Sequence, residues 1–398
     1  MERKGILSGM KVLDLSRVLS GPYCCMMLAD MGADVLKIER PGIGDDSRNF
    51  GPFVHGESAY FMNLNRNKRS MTLDLKKPEG KELFLELVKK CDVVVENYRP
   101  GTMEKLGLGY ETLKEINPAL IYGAISGFGH YGPYSPRPGY DIIAQAMSGL
   151  MSTTGWPDGE PTRSSTAIGD ILGGLNCCVG ILAAYNNRLR TGMGEKVDVA
   201  LVDSVVSGLE VINQIYLSSG RVPQRIGNRY ESAYPYDSFR AADGSFVMSC
   251  GNDKLFQSFC HMMGKPELLQ DARFCTNRVR VQNPGPLKEI IENWLSDKKK
   301  QNVIDQLTEI GIPAAPILTI DQVTEDPQIA GAREMFVEVE HPVAGKQRLT
   351  GTPLKFTKNK IQFERAAPLL GADTEEILTE YLKMDAASLQ KLRDNGTI

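Results

Sequence analysis

Hydrophobic and polar positions along the first 130 residues follow two alternating periods. Short apolar runs that suit buried strands occur at residues 11–15, 33–38, 71–75, 93–95 and 120–125. Between them lie segments of helical period at 23–31, 78–90 and 113–116. Pro78 stands where the first turn of a helix tolerates a missing N–H. This β-α-β rhythm predicts an α/β fold, with a parallel sheet covered by helices.

Further along, 142–150 and 171–188 read as buried helices, 197–201 as a strand and 202–217 as a helix. The pattern then dissolves into Gly, Arg, Pro and Tyr over 218–236. A second pattern opens with a hairpin, 238–240 and 246–249, turning at Asp243-Gly244. Helices are expected at 255–263, 287–295 and 303–310, a short strand at 346–349 and an amphipathic helical tail over 374–391. The expected organisation is a large domain over 1–200, completed by the C-terminal segment 366–398. A linker over 201–236 leads to a smaller α+β domain at 237–330, and 331–365 forms a return linker.

Composition narrows the function classes. The 398 residues carry 46 Lys and Arg against 49 Asp and Glu, a net charge of −3, so there is no broad positive field for nucleic acid or an anionic membrane. No apolar run of signal-peptide length opens the chain. The uncharged stretch 171–187 is short for a membrane span and contains three Asn, so a buried helix is expected there. The eight cysteines form no C-x-x-C pair, and the four histidines are scattered, so neither a metal site nor a disulfide framework is expected. Reduced thiols fit a cytoplasmic protein.

The first β-α-β unit, 11–40, has the size of a mononucleotide-binding unit. Its turn reads Ser16-Arg17-Val18-Leu19-Ser20-Gly21-Pro22 and lacks the three-glycine fingerprint of dinucleotide dehydrogenases. Basic residues crowd the strand ends instead: Arg40, Arg48, Arg66, Lys68, Arg69 and Lys76. Ligands collect at that edge of an open α/β sheet, and such side chains could hold phosphates or be solvated surface charges.

Four stretches carry a more specific signal: Val12 to Pro22 (VLDLSRVLSGP), Gly32 to Arg40 (GADVLKIER), Val95 to Gly101 (VENYRPG) and Gly127 to Asp141 (GFGHYGPYSPRPGYD). In order and spacing they resemble the family III CoA-transferases, the group of formyl-CoA transferase and carnitine CoA-transferase. The resemblance runs from Leu7 to about Leu370. Residues 40–70 and 331–345 are most similar to members that use succinyl-CoA and dicarboxylic acids.

The resemblance implies a catalytic aspartate at Asp170, in Ala167-Ile168-Gly169-Asp170. From the residues alone, Asp170 reads as the N-cap of the helix at 171–188. A helix N-terminus favours the ionised carboxylate that a nucleophile needs, and Gly169, Gly173 and Gly174 are expected to leave room for a thioester. The resemblance further implies that Val18, Leu19 and Ser20 meet CoA and that Arg40 lies near its adenosine phosphates. Leu73 and Lys76 match adenine-side contacts, Asn97, Tyr98 and Lys105 match positions along the cofactor, and Tyr140 lines the reaction centre. Lys105 stands where formyl-CoA transferase has arginine, keeping charge without a planar fork. Arg48 and Arg163 are candidates for the distal carboxylate of a dicarboxylic acceptor. No permanently bound cofactor is called for, since CoA and acyl-CoA are substrates. The implied assembly is an interlocked homodimer, each chain with a large Rossmann-like domain and a smaller one.

Two alternatives stand beside the transferase. Related α-methylacyl-CoA racemases carry Gly-His-Asp where this chain has Gly139-Tyr140-Asp141; a tyrosine of ordinary pKa, ~10, is a poor base for removing an α-proton. A CoA-binding subunit without turnover would not need Asp170. The glycine-rich lid of formyl-CoA transferase is reduced here to Cys250-Gly251-Asn252-Asp253, which leaves the acceptor acid open. His130 reads as a loop residue.

Overall fold

The computed structural model describes residues 5–398. They form two compact units. One contains the chain up to Leu150, Ser164–Leu209 and Pro327–Ile398; the other contains Met151–Arg163 and Glu210–Asp326.

The first unit is built on six strands: β1 (Lys11–Asp14), β2 (Asp34–Glu39), β3 (Arg69–Thr72), β4 (Val93–Glu96), β5 (Ile121–Ser126) and β6 (Lys196–Ala200). All five pairings are parallel, and the order is β3-β2-β1-β4-β5-β6, that of a doubly wound, Rossmann-like sheet. The apolar runs are continuous because both faces are covered. Val12, Val35, Val93 and Val95 enter one core, while their neighbours Leu13, Leu36 and Val94 enter the other.

Six helices matter to the site: α1 (Ser20–Asp30), α2 (Ala59–Asn65), α3 (Pro78–Val88), α4 (Asp141–Met147), α5 (Ile168–Thr191) and α6 (Leu201–Gly208). Cys24 and Leu28 of α1 and Cys177, Cys178 and Ile181 of α5 fill the first core; Phe84 and Leu87 of α3 and Ile377 and Leu378 of the C-terminal region fill the second. The strand order reverses between β1 and β4. The loops leaving the carboxyl ends of these two strands therefore flank the crevice where doubly wound sheets bind ligands.

In the second unit, β7 (Tyr236–Ala241), β8 (Gly244–Ser249) and β9 (Ala314–Pro316) form an antiparallel sheet. Phe239 and Phe246 pack there with Phe256, Leu287 and Ile291. The hairpin pairs Ala241 with Gly244, so the turn is Ala242-Asp243, one residue earlier than the Asp-Gly signal suggests.

Several segments differ from the sequence pattern. Strand β3 begins at Arg69 rather than at 71, because Arg69 and Ser70 pair with Leu36 and Lys37 while Arg69 sends its guanidinium out to Asp34. Residues 336–341 and 345–350, expected as mostly linker, form a two-stranded ribbon of six pairs. Its Val339 and Leu349 pack on Phe61 and Met62 of α2, and their alternation with charged residues hid the strands. The helix expected over 171–188 spans 24 residues, Ile168–Thr191, and is long and apolar enough to cross a membrane by length and composition. In this unit it packs on α1, α6 and the sheet.

Candidate active site

The loop after β1 is held from below by buried charge. Asp14 pairs with Lys68 at 2.9 Å and Lys37 with Asp45 at 2.8 Å, all four side chains being essentially inaccessible. Lys37 also donates to the carbonyl of Ser16 at 2.9 Å. The Lys68 and Lys37 charges hold Asp14 below the usual carboxylate range against the opposing effect of burial. Removing one partner of such a pair costs about 3–5 kcal/mol, because the other charge is left buried alone.

The same network shapes the loop surface. Asp45 accepts the Val18 N–H at 3.0 Å. Asn97, from the loop after β4, accepts the Arg17 N–H at 2.8 Å and donates to the Arg17 carbonyl at 2.7 Å. Pinned on both sides, Val18 adopts φ 67°, a left-handed conformation that a β-branched residue rarely takes. This places Leu19 and Ser20 at the N-terminus of α1.

Asp170 faces this loop from the first turn of α5. It occupies the third helical position and Ala167 stands at the N-cap, so the N-cap expectation for Asp170 is corrected by two full positions of helix before it. The ionisation expectation is corrected as well. Burial and then the charge of Asp141 push Asp170 up from 3.8 to about 7, and a hydrogen bond from Ser20 only partly offsets this. Ser20 in turn receives a 3.3 Å hydrogen bond from Asn97. Asp141, buried at the start of α4, accepts the Gly169 N–H at 2.8 Å and the Gln145 side-chain N–H at 2.7 Å. It thereby fixes the turn that carries Asp170.

The three glycines serve packing rather than thioester access. A Cβ on Gly174 would lie 2.4 Å from the Ser20 carbonyl oxygen, and one on Gly173 2.6 Å from a Leu201 methyl. One on Gly169 would lie 3.1 Å from an Asp141 oxygen. Helix α5 thus approaches α1 and α6 more closely than any side chain allows, which brings Asp170 within reach of Ser20.

Asp170 lines a cavity of about 140 Å³ together with Val18, Leu19, Ser20, Asn97 and Tyr140. Tyr140 is 74% exposed and stands at its mouth. A second cavity, of about 480 Å³, has Ile38, Leu73, Leu75 and Leu106 as apolar walls and Arg40, Lys76 and Lys105 as cations. These three cations are exposed and in no ion pair among the described residues. Arg17, Asp46 and Tyr98 line both cavities and so join them: Arg17 pairs with Asp46 at 3.0 Å and lies over the Tyr98 ring at 5.3 Å. Tyr98 is fixed by its own N–H, which donates to the buried Glu96 at 2.7 Å.

The geometry therefore gathers the residues expected at CoA into two adjoining cavities. Two expected substrate residues are not among them. Arg48 is bound to Glu39 through two hydrogen bonds of 2.8 and 2.7 Å and stacks on Phe61 at 3.8 Å, so its charge is consumed inside the fold. Arg163 is an exposed residue of the second unit. Of the six basic residues near the strand ends, Arg66, Lys68 and Arg69 are likewise consumed, by Asp30, Asp14 and Asp34. Only Arg40 and Lys76 face a cavity. The reduced glycine segment is tied down too: Asn252 caps a helix through the Leu255 N–H, and Asp253 pairs with the buried Arg280.

Residues that the sequence reading did not single out also belong here. Tyr60 is pushed up to about 12 by burial and then by the charge of Asp170. Arg99 and Arg137 line the Asp170 cavity. The Asp141 signal was its place beside Tyr140 in the Gly-Tyr-Asp triplet; Arg99 and Arg137 had none beyond lying in the same motifs, and Tyr60 lies outside them.

Known proteins of one family resemble the chain over nearly its whole length. The family described as CoA-transferase family III matches residues 7–374. The chain is 40% identical to the succinyl-CoA:glutarate CoA-transferase of Mus musculus over 393 residues, 98% of this chain and 90% of that protein. It is 41% identical to the acetyl-CoA:oxalate CoA-transferase of Acetobacter aceti over 385 residues, 96% and 97% of the two lengths. Among solved structures, a CaiB/BaiF family protein from Brucella suis superposes with a TM-score of 0.83 at 40% identity, covering 95% of this chain and all of that one.

Proposed function

The chain belongs to CoA-transferase family III and is a CoA-transferase, and from that premise we propose that Asp170 is the side chain that carries the acyl group and then CoA. We further propose that the acids exchanged are dicarboxylic, with succinyl-CoA as a donor. The observation that carries the reading is the placement of a basic carboxylate in a small cavity joined to a larger one rimmed by cations.

The chemistry follows from that pairing. CoA is a long polyanion ending in a thioester. Its adenosine phosphates suit Arg40, Lys76 and Lys105, and its nucleotide ring suits the apolar wall of Leu73. Its pantetheine arm then passes Tyr98 and Arg17 toward Asp170. The ionised Asp170 attacks the thioester carbonyl, forming a mixed anhydride and expelling CoA thiolate. The thiolate attacks the aspartyl carbonyl, giving an aspartyl-CoA thioester and releasing the donor carboxylate. An acceptor carboxylate attacks that thioester, forming a second anhydride and again releasing thiolate. The thiolate attacks the acceptor's acyl carbon and restores Asp170. Each step exchanges one activated acyl bond for another, so no ATP is consumed. Burial beside Asp141 makes the ionised Asp170 more basic, and hence a better nucleophile, than a solvated aspartate.

The racemase alternative needs a base for an α-proton. His130, the histidine nearest in sequence, contacts Lys196 at 3.0 Å and does not line the Asp170 cavity. We also place the working enzyme in the cytoplasm as an interlocked homodimer with a Rossmann-like large domain and a smaller second domain. Exposed apolar side chains on α5, Val179 at 58% and Leu189 at 71%, fit burial by a second copy. A chain that stays monomeric in light scattering at micromolar concentration would contradict that assembly.

The decisive experiment is to incubate the enzyme with succinyl-CoA, quench it, and treat it with hydroxylamine. A hydroxamate at Asp170, located by peptide mass spectrometry, is expected. Exchange of CoA between acids by an Asp170→Ala enzyme would refute the covalent route, and a wild type that binds CoA without any exchange would leave only a CoA-binding subunit.

A further inference from the structure

A dicarboxylic acyl group brings a second negative charge into the cavity, and the cations that could meet it are few. Arg48 is closed off by Glu39, Arg17 is paired with Asp46 where the two cavities join, and Arg40, Lys76 and Lys105 stand in the other cavity. Arg99 and Arg137 remain at the Asp170 cavity, and neither pairs with a carboxylate among the described residues.

Arg137 differs from Arg99 in being held in advance. Its guanidinium stacks on Tyr134 at 3.9 Å, and Tyr134 rests edge-on against Phe128 at 5.8 Å. Its backbone N–H donates to the Tyr134 carbonyl at 2.9 Å. The ends of this loop cross where a Cβ on Gly127 would lie 2.7 Å from the Gly139 Cα. A stacked guanidinium keeps the N–H donors at its edge free in one plane, the geometry that takes a carboxylate through two parallel hydrogen bonds. Because the stack already restricts the side chain, little further order is lost on binding.

Resting on the CoA-transferase reading above, we propose that Arg137, presented on the Tyr134 ring, receives the distal carboxylate of the acyl group and makes this site selective for dicarboxylic over monocarboxylic acids. Phosphate binding by Arg137 is disfavoured because the unpaired cations suited to the CoA phosphates line the other cavity, past the Arg17–Asp46 pair.

The test compares succinyl-CoA with butyryl-CoA, acyl groups of equal chain length that differ in the distal carboxylate. The ratio of their kcat/KM values in wild type, Arg137→Gln, Arg137→Lys and Tyr134→Ala is the readout. Arg137→Gln is expected to lower the succinyl/butyryl ratio by roughly 10- to 100-fold, the range for losing a charge-assisted pair. Arg137→Lys should retain part of it and Tyr134→Ala should lower it a few-fold. Arg137 and Tyr134 are exposed, so folding is not at stake. A ratio unchanged within twofold in Arg137→Gln, including an equal fall for both thioesters, overturns the proposal. A wild type that exchanges no acid at all overturns the reading beneath it and this proposal together.

Discussion

The two cavities of the first unit are walled in part by the same three residues yet are built on opposite principles. The larger has apolar walls and exposed cations that make no ion pair among the described residues, a surface under little internal constraint. The smaller is floored by residues under constraint: Val18 in a left-handed conformation, Asp170 pushed up to about 7, and Asp141 buried beside it. Binding energy can be gathered in the first and expressed as reactivity in the second. That division is what a transferase needs, because interactions with the non-reacting nucleotide can hold the thioester against a nucleophile that water would otherwise solvate.

The division should be broken most severely by removing the proposed nucleophile. Asp170→Ala is expected to lower the rate of CoA exchange by at least about 10³-fold, the scale for loss of a covalent catalyst, while the enzyme continues to bind CoA in isothermal titration. A comparable loss of CoA binding would mean that the two cavities do not divide the work.

The next effect is in pH, and the two observables move in opposite directions. In the proposed mechanism Asp170 attacks in its ionised form, so kcat/KM should rise about tenfold per pH unit on the acid side and level off near the raised value of about 7. Stability runs the other way. The folded chain holds the Asp170 proton more tightly than the unfolded chain, whose aspartate ionises near 3.8, so this contribution to stability is present below about pH 4 and is lost as pH rises toward 7. Asp170→Asn has no such proton to lose. It should exceed wild type in stability above pH 7 by on the order of 2–4 kcal/mol and match it near pH 3.5, read by urea denaturation. Ser20→Ala removes the hydrogen bond that restrains the shift, so its rate profile should turn at a higher pH.

A smaller and differently placed effect is expected from the other cavity. Arg40→Ala should raise KM for acyl-CoA by roughly tenfold, the value of one charge-assisted contact at an exposed site, with the inflection near pH 7 unmoved. A shift of that inflection in Arg40→Ala would show that the cations also set the charge state of Asp170.

How far the sequence discloses this contrast depends on the range of the interactions. The strands are legible because Val93, Val94 and Val95 must be apolar on both faces, and the motif around Asp170 is legible through its resemblance to known transferases. The environment of Asp170 is not. Asp141 lies 29 residues earlier, and only the packing of α4 against α5 brings its charge to bear. The same limit governs the arginines. Arg48 and Arg137 look alike in sequence, but Glu39 reaches Arg48 at the end of β2 whereas no carboxylate among the described residues pairs with Arg137. Lys68 looks like a surface charge until the sheet order places Asp14 beside it. Local pattern reveals which residues are apolar; which charges are neutralised is decided by register.

The mildest test concerns the constraint itself. Val18 at φ 67° costs about 1–3 kcal/mol relative to a residue at ease there. Glycine is at ease there, and its added freedom in the unfolded chain costs only about 0.5–1 kcal/mol. Val18→Gly should therefore raise stability by about 1 kcal/mol, measurable as a shift in the urea midpoint. If the strain merely tolerated a sequence accident, activity would follow stability upward. If the loop must be rigid to keep Leu19 and Ser20 against Asp170, the relaxed variant should be more stable and a few-fold slower, with KM for acyl-CoA little changed because Arg40, Lys76 and Lys105 are untouched. A variant both more stable and fully active would show that the smaller cavity works without its constraint, and the contrast with its neighbour would then reduce to charge alone.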